Sequence, residues 1–364
     1  MTDGASGPAP AAAQRRSEEP GRSEKPGRRR DLGPGSGRRT RARAVAAMAG
    51  RRLLFAVPVL ALVSAAVFAL GALSPFDPVK QYYGVQIFNA SREDVDRVRA
   101  ELGVDDPVIV QFGRWAGGLL TGDPGHSRSF RQPVADVVGE RLPWTLLLVG
   151  VALAVAVLVA LLLGVAAAWR QGGWLDRVVT AVGHALEGVP PFVLALGAIA
   201  VFALGLGWLP VAGLTDAGAE ASAGQVARHL VLPALVLGVS QSPWLVLHVR
   251  QSLLSALAED HVTGARARGL AERVVVLRHA LPTALLPFVT LVGARVPELV
   301  TGAVLVEEVF SWPGVASAVV KAALSVDFPL LAALTLLATV AVLLGSLLAD
   351  VASALLDPRV ATDG

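Results

Sequence analysis

The chain has 364 residues, 54% of them apolar and 17% charged, with a formal net charge of +3 and a mean hydropathy of +0.58. That is more apolar surface than one soluble core of this length hides, so water is not the only solvent of this protein. The lack of cysteine excludes a disulfide framework, a thiol nucleophile and cysteine-ligated zinc or iron–sulfur centres.

The small net charge is a sum over unlike parts. Residues 1–52 hold 13 Lys and Arg against 5 Asp and Glu, whereas the remainder holds 19 against 24. Residues 1–50, rich in Gly, Pro, Ala, Ser and Arg, show no apolar periodicity and read as a disordered basic tail. Gly33–Thr40 superficially resembles a phosphate loop but has no Lys and no preceding strand. A basic tail beside an apolar segment is an orientation signal or a contact with anionic lipid rather than with nucleic acid. Leu53–Leu73 is uncharged and long enough, at about 1.5 Å per residue, to cross a hydrocarbon core. Arg51-Arg52 before it also suits a twin-arginine signal, but such signals have shorter apolar regions, so the segment reads as a retained span.

Ser74–Arg141 follows as a polar segment with 8 basic and 10 acidic residues. Within it Ser91–Leu102 predicts a short helix, N-capped by Ser91 and carrying Glu93 and Asp94 in its first turn. Five more uncharged runs come next: Leu142–Trp169, Val189–Leu209, Leu230–Leu247, Pro282–Val306 with two interruptions, and Phe328–Ala349. All six spans must be helical, because lipid offers no partner to free backbone groups. Pro190, Pro191, Pro233 and Pro243 imply kinks or protein-lined positions. With the N-terminus inside, loops 170–188 and 250–281 carry 7 Lys and Arg, against 2 in loops 209–228 and 307–327. Both termini are therefore expected on the cytoplasmic side.

No paired carboxylates, metal-binding His cluster, nucleophile constellation or phosphate loop stands at mechanistic spacing, so no catalytic, cofactor or metal residue is expected and ATP hydrolysis must come from elsewhere. Two features do suggest function. Arg295 and Glu298 share a helical face inside the fifth span, either as a structural ion pair or as a polar patch on a translocation path, with a kink expected at Pro297. In the loop 255–282, Leu254, Ala258, Val262 and Ala265 fall on one helical stripe. Gly269 suits a C-terminal cap before a second helix from Leu270, and Arg266, Arg268, Arg273 and Arg278 surround it. Such a helix fits a shallow groove on a partner, although an ordinary positive-inside loop has the same composition.

Asp260-His-Val-Thr-Gly-Ala-Arg-Ala-Arg-Gly-Leu270, followed by Arg278-His-Ala-Leu-Pro-Thr-Ala-Leu-Leu-Pro287, resembles the cytoplasmic EAA loop of ABC-importer permeases in their peptide/nickel branch. Aligning that pattern's Gly with Gly269 puts its Leu-Pro on Leu281-Pro282; Ala265 agrees, while Thr263, Gly264 and His279 depart from it. Three further stretches resemble the same branch: Gly122–Ser127 with Pro133-Val134 and Glu140–Leu146; Val306–Gly314 with Asp327-Phe-Pro329; and Leu356-Asp-Pro-Arg359.

The resemblance implies an all-α membrane protein of the type I ABC-importer permease fold with six transmembrane helices. It divides the chain into a tail (1–50), a first transmembrane helix (51–74), an extracytoplasmic loop (75–133), a five-helix transmembrane type-1 domain (134–356) and a cytoplasmic C-terminus (357–364). The implied activity is ATP-driven alternating access for peptides, nickel chelates or related small solutes, in the cell membrane. ATP would be bound by partners: two ATP-binding subunits, joined by a second, homologous permease and an extracytoplasmic solute-binding protein. Thr263, Gly264, Ala265, Arg266, Arg268, Gly269, Leu281 and Pro282 would couple to the ATPase, and Arg295 and Glu298 would line the path. The alternative is an ion-coupled secondary transporter that uses Arg295 and Glu298 as its relay.

Overall fold

The architecture is that of a computed structural model describing residues 36–75 and 77–356. The described residues are helical almost throughout, and the one sheet among them is a two-stranded hairpin. Of a first compact unit, Met1–Ala42, the described part is the opening of helix α1; the second unit is Arg43–Gly364.

Helix α1 (Ser36–Ala72) starts well before the apolar run. The expected disorder thus fails for residues 36–50, where Arg and Ala alternate with few breakers and have high intrinsic helix propensity; residues 1–35 lie outside the described residues. The apolar part of α1, Val45–Ala72, is mostly exposed, and Ser64 and Phe68 are its buried residues. Near its C-terminal end Phe68 packs against the rings of Phe112 and Trp115 at 5.8 and 5.5 Å between ring centres. Those two rings belong to α4 (Val108–Leu120), which follows α2 (Pro78–Tyr83), a 3-10 turn and α3 (Arg92–Leu102). Helix α3 is capped as expected, Asp94 N–H donating to Ser91 Oγ at 3.1 Å. A hairpin of β1 (His126–Ser127) and β2 (Gln132–Pro133) pairs His126 with Pro133 and leads into the bundle.

Helix α5 (Val134–Trp169) begins eight residues before the expected span, because Glu140 and Arg141 find polar partners at the bundle's end. It packs on α8 (Ala223–Leu257) along a four-residue repeat of buried, mostly small side chains: Leu148, Ala152, Ala156, Ala160, Gly164 and Ala168. Small residues let the two backbones approach closely where no hydrophobic effect drives helices together in lipid. Pro233 and Pro243 sit buried inside α8, protein-lined as expected.

The segment read as loop 170–188 is instead mostly helix, α6 (Trp174–Glu187), bent by 108° against α7 (Pro191–Ala198), which runs on as a π-helical segment to Gly205. The break falls at Val189-Pro190-Pro191, where the prolines remove donors and push the preceding residue out of the helical region. Helix α6 can bury the acid in its first turn because both oxygens of Asp176 are held by Arg250 of α8, Nη2 at 2.9 Å.

The fifth span is displaced from its expected bounds. The apolar stretch long enough to cross is Glu272–Ala294, made of α10 (Glu272–Val274), a π-helical turn and α11 (Leu281–Ala294). Helix α12 (Val296–Val309) restarts beyond it. The interruption lies at Arg295 rather than Pro297, since a proline in a first turn gives up no hydrogen bond. Short α13 (Val315–Leu324) leads to α14 (Phe328–Leu356), which packs along α11. Among the described residues five helices are long and apolar enough to cross a membrane, six when the bent α6–α7 pair is one span.

Candidate functional site

The loop between α8 and α11 folds as a short helix clipped onto the end of the bundle. The stripe Leu254, Ala258, Val262, Ala265 is not one helix: α8 ends at Leu257, Ala258 is exposed, and α9 runs Asp260–Ala267. Val262 and Ala265 are fully buried against Leu253, Val275 and Ala280, with Leu281 packed alongside. Of the eight expected coupling residues, Ala265 is thus an anchor. Thr263, Gly264, Arg266, Arg268, Gly269 and Pro282 are exposed, and Leu281 is half-buried.

Gly269 takes φ +77°. The Gly269 N–H reaches Arg266 O at 2.9 Å and the Leu270 N–H reaches Ala265 O at 3.5 Å, the paired bonds of a Schellman ending. A side chain at that φ is strained, which is why glycine stands there. The following helix starts at Glu272, two residues later than expected, after Leu270 and Ala271 have turned the chain. Across this turn Arg266 grips Glu272 through Nη2 at 2.7 Å and Nε at 3.3 Å, while its Nη1 donates to Leu257 O at 3.3 Å. The Glu272 carboxylate holds the Arg266 guanidinium above its ordinary pKa. The outcome is a clipped helix–turn that leaves Thr263, Gly264 and Arg268 exposed.

Arg295 and Glu298 form the expected ion pair. The Arg295 side chain is 15% exposed and that of Glu298 55%. The guanidinium also lies over Trp244 of α8, 4.0 Å from the ring centre, and Trp244 stacks on His248 at 3.8 Å. Arg295 thus bridges the α11–α12 break to α8, leaving the carboxylate as the open side of the pair.

A third polar cluster, at the end of α5 opposite α9, escaped sequence reasoning. Glu307 is fully buried. Its Oε1 accepts from Thr145 Oγ1 at 2.6 Å, and its Oε2 accepts from the Ala316 and Ser317 N–H groups at 2.9 and 3.1 Å. Trp312 Nε1 donates to Trp144 O at 3.1 Å, and Arg141 Nη1 donates to Gly314 O at 3.2 Å. Nearby, Asp327 Oδ2 accepts from Ser127 Oγ, Ser129 N and Ser129 Oγ at 2.7 to 2.9 Å. Burial pushes the neighbouring Arg128 guanidinium down, and the Asp327 charge opposes that shift. Most of these residues come from the stretches Gly122–Ser127, Glu140–Leu146, Val306–Gly314 and Asp327–Pro329, and Arg128, Ser129, Ala316 and Ser317 closely follow two of them. Their signal was present as short motifs, but nothing in one dimension said that they meet. Leu356 ends α14, and the rest of the stretch Leu356–Arg359 lies outside the described residues.

Residues 160–362 match the family described as binding-protein-dependent transport system inner membrane component, and residues 47–149 match the N-terminal part of such membrane components. The chain belongs to this family of transport permeases.

As a permease it is a multi-pass inner membrane protein, a transport component rather than an enzyme. A protein of Brucella suis biovar 1 provisionally named a peptide permease is 35% identical over 312 residues, covering 85% of this chain and 97% of its own. The oligopeptide transport system permease protein AppB of Bacillus subtilis is 33% identical over 85% of the chain and 98% of its own length. The glutathione transport system permease protein GsiC of Salmonella paratyphi A is 34% identical over 85% and 97%. These relatives support the ATP-driven importer and not the ion-coupled reading of Arg295 and Glu298.

Proposed function

We propose that this permease subunit passes short peptides inward across the membrane, with both termini cytoplasmic. It would work with a second, homologous permease, two ATP-binding subunits and an extracytoplasmic solute-binding protein. The observation that carries the reading is the build of α9: Val262 and Ala265 fix it to the bundle, while Thr263, Gly264, Arg268 and Gly269 stay exposed beside the Arg266–Glu272 clip. A helix held this way transmits a push from a partner as rigid-body motion of the spans behind it. The chain carries no phosphate loop, so the nucleotide is bound by the partner. The names of the relatives support peptides as the solute class.

Arg295 and Glu298 would lie along the path. Exposed residues of this region, Ala294, Glu298, Thr301, Leu305 and Glu308, recur at three- and four-residue spacing and form one stripe. Hydrocarbon would not accept Glu298 on such a face, so the stripe meets water or another subunit. Mild-detergent purification followed by intact-mass analysis tests the assembly. A co-purifying nucleotide-binding subunit supports the reading, and ATP-independent uptake by the chain alone overturns it.

A further inference from the structure

At the end of the bundle opposite α9, a cavity of about 520 Å³ opens beside the Glu307 cluster. Its volume lies in the range of small-molecule sites, roughly 300 to 1,000 Å³. The Phe130 ring in its wall carries two cations, Arg141 Cζ at 4.5 Å and Lys321 Nζ at 4.1 Å from its centre. Among the described residues neither cation makes an ion pair. Arg141 is turned toward Gly314 O and Ser317 Oγ, while Lys321 is exposed. A ring face attracts each cation, but two like charges on one ring repel, and an incoming anion relieves that repulsion.

The cavity's two carboxylates differ. Glu307 has both oxygens occupied by Thr145, Ala316 and Ser317 and is not available. Glu308 is exposed and unpaired among the described residues. Trp312 and Leu324 also line the cavity and supply apolar wall.

We propose that this cavity is a holding site for a small zwitterionic solute, its carboxylate drawn to Lys321 and Arg141 and its ammonium group to Glu308. The proposal rests on the transport reading only for the solute's class. A site that binds both ends of a short peptide reads it as a free molecule rather than as a segment of protein chain.

Saturation-transfer NMR on the full chain in lipid nanodiscs tests it, with trialanine, trialanine amide and N-acetyl-trialanine as probes. Trialanine should bind about tenfold more tightly than either blocked probe, the scale of one charge-assisted contact. Lys321→Gln should erase the preference over the amide, and Lys321→Arg should keep it. Glu308→Gln should erase the preference over the N-acetyl peptide. Equal binding of the three probes to the unaltered chain, or an unchanged trialanine-to-amide ratio in Lys321→Gln, overturns the site. Binding that persists where ATP-driven uptake fails upholds the cavity and counts against the transport reading instead.

Discussion

Thr145 donates its hydroxyl to the buried Glu307 at 2.6 Å across 162 residues of chain, and the same oxygen accepts the Val315 N–H at 2.8 Å. Together the two side chains cap α13. Its N-cap position is Gly314, which has no side chain to offer, and the Glu307 carboxylate takes the N–H groups of Ala316 and Ser317 in its place. A carboxylate at a helix N-terminus is favoured by the exposed N–H groups and the helix dipole. A Cβ at Gly314 would fall onto that carboxylate, so the glycine is required by close approach.

Glu307→Gln should therefore destabilise the fold. The amide keeps the shape but gives up charge-assisted bonds, a loss of about 2 kcal/mol. Thermal unfolding of the detergent-solubilised chain should show a lower midpoint, and Gly314→Ala should lower it too by displacing the carboxylate. A midpoint unchanged in both variants contradicts the capping role.

Gly269→Asp should abolish transport and leave membrane insertion intact. The substitution forces a side chain onto φ +77° and adds a negative charge beside the exposed Arg268. Strain of roughly 1 kcal/mol distorts the turn without unfolding the bundle. Uptake in vesicles, compared with the amount of chain inserted, is the measurement; normal uptake by this variant removes α9 from the coupling role.

For the ion pair at the α11–α12 break, the exchange Arg295→Glu with Glu298→Arg separates packing from transport. The swapped pair keeps opposite charges in contact, so inserted protein should persist at near-normal amounts. Uptake should fall at least about tenfold, because the cation over Trp244 and the exposed carboxylate have changed places. Full uptake by the double variant assigns the pair to packing alone.

A pH effect is expected at the loop before α8. Asp216 accepts from Gln225 Nε2 at 3.1 Å and lies beside His229 and Arg228, and these partners hold its carboxyl below the usual range. A depressed folded value stabilises the loop at and above the ordinary carboxylate value of about 3.9, and that contribution disappears as pH falls through the lower, folded value. Hydrogen exchange of the Gly213 amide, which is bonded to Phe310 O at 2.8 Å, should quicken in that acid window once the intrinsic exchange rate at each pH, acid- and base-catalysed, is divided out. Protection that does not change across the window contradicts the link.

Much of the site was legible because its determinants are local. Gly269 as a helix ending, the Arg295–Glu298 pair at three-residue spacing and the Ser91 cap all follow from what neighbours in sequence can reach. The helix boundaries were less legible for one common reason: charged residues looked like span ends. Glu140 and Arg141 are inside α5, and Asp176 is inside α6, because partners distant in sequence, such as Arg250 and Gly314, satisfy them. A scan for uncharged runs has no access to those partners.

The sequence by itself determined the solvent and the class of fold. Lipid leaves backbone groups no partner but their own helix, so a long uncharged run has one regular structure to adopt. It also carried the family motifs in their order. Tertiary structure alone decided which motifs meet, that Ala265 is an anchor while Thr263 and Gly264 are free, and that Glu307 and Asp327 are buried at one end of the bundle. Burial of a charge depends on donors brought from elsewhere in the chain, and folding is what supplies them.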